Sequence, residues 1–428
     1  MIKKNKSRNA KLIKSYIYLY LFFIFYMPRV SDLLIGVKIE VFSGLLLIFM
    51  LIPWITTCKS KASLIKVDKN IFLLIIGIFL SALYFAIRAS LDSYDIRIMQ
   101  NLFIVVQIFH IIIAIDFMKY IGFDKYDMIR VLLNLSLLQG FITILMILFP
   151  SLKNIALSLY YLNREENIFI SRMRIYGISG DYTFFTPIYH GILASTAFFL
   201  SIFKDRKYFV YLPFILVTIL LNGRFGLLIF GLSPIAVVLH FIFRGKISFK
   251  MMRISILTII IIILGILSLS IISPFTYDWI VGGIKDTINL IIYNEKTGNY
   301  VALAGYFLSV PEGWGIIFGE GFRLYGGQGT IIGYNPSDIG YVNDMFMGGI
   351  IYLSILYGSI ILFLLRKPIM NNLTSKFDNN LHMLISKFLV ITLLLSNYKG
   401  EVMRGGIVLL LAIFLKIVIS YEPYIEEK

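Results

Sequence analysis

Apolar residues occur along this chain in long runs that are separated by short polar segments. The run at 254–273 reads ISILTIIIIILGILSLSIIS and contains no charged side chain. A helix of about 20 apolar residues is long enough to cross the hydrocarbon core of a membrane. The pattern predicts twelve such helices, at about 12–28, 35–56, 70–88, 98–117, 129–149, 187–203, 208–222, 224–243, 254–273, 345–365, 382–397 and 405–421.

Most connections between these helices are short, but two are long, at about 150–186 and 274–344. Long ordered loops are uncommon unless they carry function. The second loop begins with apolar residues at helical spacing, which predicts one or two amphipathic helices at the membrane interface. It continues through the glycine-rich stretch GEGFRLYGGQGTIIGYNP, where the backbone could approach a ligand closely. We therefore expect an all-α, polytopic membrane helix bundle that forms one domain over 1–428.

The composition agrees with a membrane protein, and the charge predicts its orientation. Only 15% of the residues are charged, the mean hydropathy is +0.84 and the net charge is +16, whereas a soluble domain is about 25% charged. If the N-terminus is cytoplasmic, nearly all the positive excess falls on the cytoplasmic side, as the positive-inside rule requires. Both termini are then cytoplasmic, and both long loops lie on the opposite face. The positive charge is thus explained by the orientation in the membrane and does not indicate binding of nucleic acid.

Several arginines are predicted to meet at the non-cytoplasmic face. The first loop contributes Arg164, Arg172 and Arg174, a short hinge between two helices contributes Arg224, and the second loop contributes Arg323. A further charged hinge, 399–404, reads KGEVMR and adds Lys399 and Arg404. Guanidinium groups suit bidentate capture of phosphate, so these arginines are candidates for binding a lipid-linked diphosphate. The alternative is that each pairs with a neighbouring acid or a lipid headgroup.

Three titratable residues near these arginines are candidates for proton transfer. Asp338 and Asp344 lie just before the predicted span 345–365, where one could cap the helix and the other could act as a base. His190 lies at the start of span 187–203, where an imidazole could also simply be solvated. The tyrosines Tyr325, Tyr334 and Tyr341 offer aromatic faces for sugars. No His, Cys or carboxylate spacing matches a metal site, so we expect neither a metal nor another cofactor.

Three stretches resemble the bacterial O-antigen polymerases (Wzy type), within the superfamily that includes the O-antigen ligases. The first is RIYGISG at 174–180, followed by a proline at the head of a span. The second is LNGRFGLL at 221–228. The third is FGEGF at 318–322 with SDIGYVND at 337–344. The ligase branch carries a functional histidine in its second long loop, and 274–344 contains none, which favours a polymerase. Arg164 with Gly180 fits an arginine–glycine spacing of the polymerases, so the essential arginine of the first loop stays open.

The resemblance implies a glycosyltransferase of the bacterial inner membrane with its active site facing the periplasm. Such enzymes take part in lipopolysaccharide biosynthesis. They transfer a growing glycan from undecaprenyl diphosphate to the non-reducing end of an undecaprenyl-diphosphate-linked repeat unit. The arginines would hold the diphosphate, and Asp338, then Asp344 or His190, would take the proton of the acceptor. The expected partners are the lipid-linked donor and acceptor and membrane lipid, and the family also allows a chain-length regulator. The alternatives are a ligase-like transferase, a flippase or other transporter of lipid-linked oligosaccharide, and a scaffold.

Overall fold

The computed structural model describes residues 2–26, 69–92, 98–158, 174–175, 177–179, 185–242, 249–298, 301, 309–324, 337–366 and 376–420. The α-helices within these ranges are α1 (Ile2–Tyr26), α2 (Lys69–Asp92), α3 (Ile98–Tyr120), α4 (Lys125–Leu148), α5 (Pro150–Ser158), α6 (Phe185–Phe203), α7 (Tyr211–Leu220), α8 (Arg224–Ile242), α9 (Phe249–Ile272), α10 (Pro274–Ile288), α11 (Gly315–Phe318), α12 (Gly340–Leu365), α13 (Lys376–Asn397) and α14 (Ile407–Ile419). Shorter 3-10 turns occur at Arg206–Val210 and Val402–Arg404, and a π-helical turn occurs at Asn289–Tyr293. The described chain has no β-strand.

Eight of these helices are long and apolar enough to cross a membrane, which confirms the all-α polytopic bundle. They are α2, α3, α4, α6, α8, α9, α12 and α13. The predicted first and twelfth spans correspond to shorter apolar segments, Ile13–Tyr26 and Ile407–Ile419. The predicted span 208–222 contains only the ten-residue α7, after a 3-10 turn. The predicted span 35–56 lies outside the described residues.

Helices α6 and α14 form the centre of the bundle. Nearly every residue of both is buried, as expected for helices whose apolar residues are not confined to one face. Helix α6 packs against α4, α7, α8, α13 and α14, and a second group is formed by α2 with α3 and α12. Helix α9 is the opposite case, since only 17% of its span is buried and it packs mainly against α7 and α10. The bundle therefore has a dense centre and one helix that mostly faces its surroundings.

Close backbone approach between helices depends on glycine in the centre of the bundle. A Cβ on Gly226 of α8 would lie 2.7 Å from the carbonyl carbon of Pro187 in α6, and one on Gly191 would lie 2.7 Å from the oxygen of Gly226. Small residues at such crossings let membrane helices pack by direct backbone contact. Gly226, the second glycine of the stretch LNGRFGLL, thus serves helix packing.

Tyrosine hydroxyls join the helices by hydrogen bonds to polar side chains. The hydroxyl of Tyr352 on α12 accepts a hydrogen bond from the amide of Asn101 on α3, at 2.7 Å. Asn134 on α4 donates to Tyr18 on α1 and accepts from Tyr211 on α7, both at 2.7 Å. In an apolar core each unmatched polar group is costly, so these pairs help to fix which helices are neighbours.

Replacing Tyr352 with phenylalanine is expected to lower the free energy of unfolding by about 0.6 kcal/mol and by no more than ~1.7 kcal/mol, the range for hydrogen bonds between membrane helices. The substitution removes one hydroxyl and leaves the amide of Asn101 partly unmatched. Unfolding in a mixed-micelle titration would measure the change. Tyr120→Phe is the matched control, because Tyr120 is exposed at the end of α3. An equal loss in both variants would contradict the role of the buried pair.

Candidate functional site

The candidate site begins at the turn between α13 and α14, which is held in shape by Asn397. The side-chain oxygen of Asn397 accepts a hydrogen bond from the backbone nitrogen of Met403 at 3.1 Å. This fixes the 3-10 turn Val402–Arg404 against the end of α13. Gly405 and Gly406 follow with φ values of +148° and +87°, which allow the chain to reverse into α14.

Two arginines bind the same carboxylate in this turn. Arg404 forms an ion pair with Glu401, and Arg323 from the second loop forms another. Arg404 also lies 3.7 Å from Asp344 on α12. Two guanidinium groups thus meet two carboxylates, so the four side chains have a formal net charge of zero. We call Arg323, Asp344, Glu401 and Arg404 the charged cluster.

The charged cluster is buried to different depths. Asp344 is fully buried and Arg404 is 3% exposed, whereas the side chains of Arg323 and Glu401 keep about 15% and 14% exposure. Burial opposes the charge of Arg404, but the carboxylates of Glu401 and Asp344 outweigh burial and hold its pKa above the usual arginine value. The shallower pair, Arg323 and Glu401, is therefore the part of the cluster that a ligand could reach first.

Neutral side chains complete the surroundings of Asp344. Tyr357 on α12 donates a hydrogen bond to one carboxylate oxygen, and its own hydroxyl accepts one from Asn397. The sulfur of Met347 contacts the guanidinium of Arg404. The other carboxylate oxygen, Oδ1, is buried without a hydrogen bond in the described part of the chain and faces Arg404. A buried charge with this incomplete shell is unusual in a membrane helix and points to function.

Helix α12 is broken four residues after Asp344. Gly348 and Gly349 have non-helical backbone angles, and Gly349 has φ +62° and ψ −161°, a conformation essentially restricted to glycine. The carbonyl of Phe346 accepts hydrogen bonds from the backbone nitrogens of Glu320 and Gly321, at 2.6 and 3.1 Å. The second loop therefore inserts the backbone of residues 318–321 into the break, and we call these residues the inserted segment. The glycines of this segment approach protein backbone, whereas the sequence suggested that they approach a ligand.

Helix α2 holds the inserted segment from the other side. Arg88 donates from Nε to the carbonyl of Gly319 at 2.8 Å, and Tyr84 donates to the carbonyl of Phe318 at 3.1 Å. Both carbonyls lie at the end of α11, where helix carbonyls lack partners within the helix. The inserted segment is thus fixed by α2 and α12 only two residues before Arg323.

The described part of the first loop is anchored by Gln139 of α4. The side-chain amide of Gln139 donates to the carbonyl of Ile178 and accepts from its backbone nitrogen at 2.8 Å. Ile175 packs in a cluster that includes Leu221 of the hinge and Trp279 of α10. Three of the elements that the sequence assigned to one face therefore meet at one end of the bundle.

His190 lies inside the bundle. Its ring is fully buried, with Nε2 3.2 Å from the hydroxyl of Tyr26 and Nδ1 2.9 Å from the carbonyl of Thr186. Tyr189 packs edge-on against the ring. The solvated position that the sequence allowed is therefore not the one adopted, and both ring nitrogens already have partners.

The remaining sequence candidates take different positions. Asp338 is exposed just before α12, and neither aspartate caps that helix, because Ile339 is the cap residue and has no side-chain cap bond. Tyr341 donates to the carbonyl of Leu394 at 2.6 Å and packs against Tyr357, so its hydroxyl is used within the bundle.

Arg174 is partly exposed. Arg224 is the first residue of α8, and its side chain, like the whole of Arg164, Arg172, Tyr325 and Tyr334, lies outside the described residues.

Glu401 is the residue that sequence reasoning missed as a candidate for chemistry. It was visible only as one charge in the hinge KGEVMR, three residues before Arg404. A glutamate flanked by glycine and followed by an arginine at the end of a membrane helix is a usable signal, because neither charge can stay unmatched there. Its second partner, Arg323, lies 78 residues away and could not be inferred from local spacing.

Chemically, the charged cluster can bind an anion and can accept a proton. Arg323 and Arg404 supply planar forks that suit phosphate, and Glu401 is the acid that both already hold. No group of three His, Cys, Asp or Glu side chains with the proximity of a metal site occurs among the described residues. No protein-family model, no curated protein and no solved structure matches this chain.

Proposed function

We propose that the protein is a membrane-embedded glycosyltransferase of the O-antigen polymerase kind. It would transfer a growing glycan from undecaprenyl diphosphate to the non-reducing end of an undecaprenyl-diphosphate-linked repeat unit, at the periplasmic face of the inner membrane. The observation that supports this most is the convergence of Arg323 and Arg404, from two separate elements, on the partly exposed carboxylate of Glu401. The resemblance of the loop stretches supplies the substrate class.

In the proposed reaction, the diphosphate of the donor replaces Glu401 as the partner of the two arginines. The bond between the anomeric carbon of the sugar and the diphosphate oxygen breaks, and its electron pair stays on the diphosphate. Guanidinium groups stabilise this developing charge, which is the largest requirement when the leaving group is already an anion. The enzyme thus needs no acid to protonate the leaving group.

Release of Glu401 from its ion pairs gives the reaction its base. Once the diphosphate holds the two arginines, the carboxylate of Glu401 is free to accept the proton of the acceptor hydroxyl as the new carbon–oxygen bond forms. Asp338, which is exposed, is the second candidate for this role. Asp344 and His190 are fully buried, so we assign Asp344 to positioning Arg404 and His190 to packing of α6.

A carrier of lipid-linked oligosaccharide is the second candidate function, and one observation favours it. Secondary transporters commonly bind their substrate at broken membrane helices, and α12 is broken close to the buried Asp344. Against this, the break is filled by the second loop, which leaves no described passage there.

Deleting the gene in its host and complementing with variants separates the candidates. A polymerase deletion is expected to leave surface glycan with a single repeat unit, whereas a flippase or ligase deletion leaves none. Arg323→Ala should reproduce the single-repeat pattern, since it removes the accessible half of the diphosphate clamp, with the protein still present in the membrane. Arg253→Ala is the matched control, because Arg253 is exposed at the start of α9. Long chains from the Arg323 variant would contradict the proposed role.

A further inference from the structure

A groove runs along the end of α2 beside the inserted segment of the second loop. Its volume is about 340 Å³, near the lower end of the range for ligand pockets, roughly 300–1,000 Å³. It is lined by Tyr84, Ile87, Arg88, Leu91, Trp314, Gly315, Phe318 and Gly319. Apart from Arg88, the hydroxyl of Tyr84 and the indole N–H of Trp314, these side chains are apolar or absent.

The groove opens toward the surroundings of the bundle. Trp314 is 75% exposed, Leu91 is 70% exposed and Ile87 is 55% exposed. Since α2 is a membrane-spanning helix by length and composition, Ile87 and Leu91 near its end face the membrane or its interface, and Trp314 of the second loop lines the same groove. Tryptophan is enriched at that depth. The natural occupant of such a groove is therefore a hydrocarbon chain that enters from the bilayer.

Arg88 gives the groove a polar end. Its Nε bond to the carbonyl of Gly319 holds the guanidinium at the wall of the groove. Gly319 begins the segment that bonds to Phe346 and leads to Arg323 in the charged cluster. A lipid whose hydrocarbon chain lies in the groove and whose anionic headgroup lies near Arg88 would thus have its headgroup beside the loop segment that leads to the charged cluster.

We propose that this groove binds the isoprenoid chain of the lipid-linked donor and directs its diphosphate past Arg88 to Arg323. This inference rests on the proposed function, because it takes the donor from it. Three aromatic rings line the groove, from Tyr84, Trp314 and Phe318, and flat alkene units with methyl branches pack well on such faces. At roughly 30 Å³ per chain carbon, comparable with the share of a water molecule, the groove takes about a dozen carbons, or two isoprene units of one chain.

Photolabelling tests the assignment without requiring turnover. The purified full-length protein in nanodiscs would be irradiated with undecaprenyl diphosphate that carries a diazirine in the isoprene units nearest the diphosphate. Mass spectrometry would then locate the adducts. We expect adducts on the peptides that contain 84–91 and 314–319, and competition by unlabelled undecaprenyl diphosphate but not by phosphatidylglycerol. Adducts elsewhere, or equal competition by phosphatidylglycerol, would overturn the proposal.

Variants of α2 sharpen the test. Ile87→Trp fills the groove and is expected to reduce labelling about tenfold, which corresponds to ~1.4 kcal/mol of binding. Leu80→Trp is the matched control, because Leu80 is similarly exposed on the same helix and does not line the groove. Arg88→Gln should reduce labelling by the diphosphate lipid more than labelling by undecaprenol with the same diazirine. Equal labelling of the Ile87 variant and of the wild type would contradict binding of the isoprenoid chain in the groove.

The two proposals can fail separately. If labelling maps to the groove but gene deletion leaves surface glycan unchanged, the groove binds the polyprenyl lipid and the polymerase function is wrong. If deletion gives single-repeat glycan but Ile87→Trp supports full-length chains, the polymerase function stands and the groove is not where the donor chain binds.

Discussion

Replacing Arg404 with methionine is expected to destabilise the protein by about 3–5 kcal/mol, the cost of leaving a buried ion-pair partner unmatched. Arg404 is 3% exposed and lies between Glu401 and Asp344. Methionine fills much of the same space but leaves both carboxylates without their shared cation. The apparent melting temperature in detergent, measured by scanning fluorimetry, should fall sharply.

Two further variants show whether charge is the cause. Arg253→Met is the matched control, since Arg253 is exposed and its loss should change the melting temperature little. Adding Asp344→Asn to Arg404→Met should recover part of the loss, because Glu401 keeps Arg323 as its partner and the unmatched charge of Asp344 is removed. A double variant that is no more stable than Arg404→Met would show that packing, not charge, determines the cost.

Replacing Gly349 with alanine is expected to cost roughly 1–3 kcal/mol in backbone strain and a similar amount in overpacking. Its φ of +62° disfavours any side chain, and a Cβ would lie 2.7 Å from the backbone nitrogen of Gly319 and closer still to Ile317. The inserted segment must then leave the break in α12. Hydrogen exchange should show faster exchange at the backbone nitrogens of Glu320 and Gly321, which lose their bonds to Phe346.

Gly358 supplies the control for this experiment on the same helix. A Cβ there meets no atom within 4 Å, so Gly358→Ala should be neutral or raise stability by up to ~1 kcal/mol through helix propensity. If the Gly349 variant retains slow exchange at Glu320, the segment does not depend on the break.

The helices could be predicted from the sequence because each long apolar run has one stable state in a membrane. That argument succeeded for 254–273 and seven other spans, and it failed in detail at 208–222. There, a 3-10 turn at Arg206–Val210 precedes the ten-residue helix α7. Hydropathy records how apolar a segment is but not how many of its residues form one helix. Helix α7 is apolar because it packs among other helices, and its ten residues are too few to cross a membrane.

The charged cluster could be predicted only in part. The sequence indicates that Arg323, Arg404 and Asp344 must find partners in an apolar environment. It does not indicate that Glu401 serves both arginines, because the pairing depends on how the second loop enters the break in α12. That break has only the local signal of two adjacent glycines, and glycine is in general frequent in membrane helices.

The sparse covering of α9 makes the lipid bilayer part of the folded structure. Only 17% of the span of α9 is buried, so its position depends mainly on the lipid around it. Extraction from the membrane replaces this lipid with detergent. Short-chain detergents that cover it poorly should loosen α9 before any central helix. Because α9 carries α10 at its end, the cluster of Leu220, Leu269 and Ile280 would separate first. Preparations that keep native lipid should therefore preserve the second loop longest.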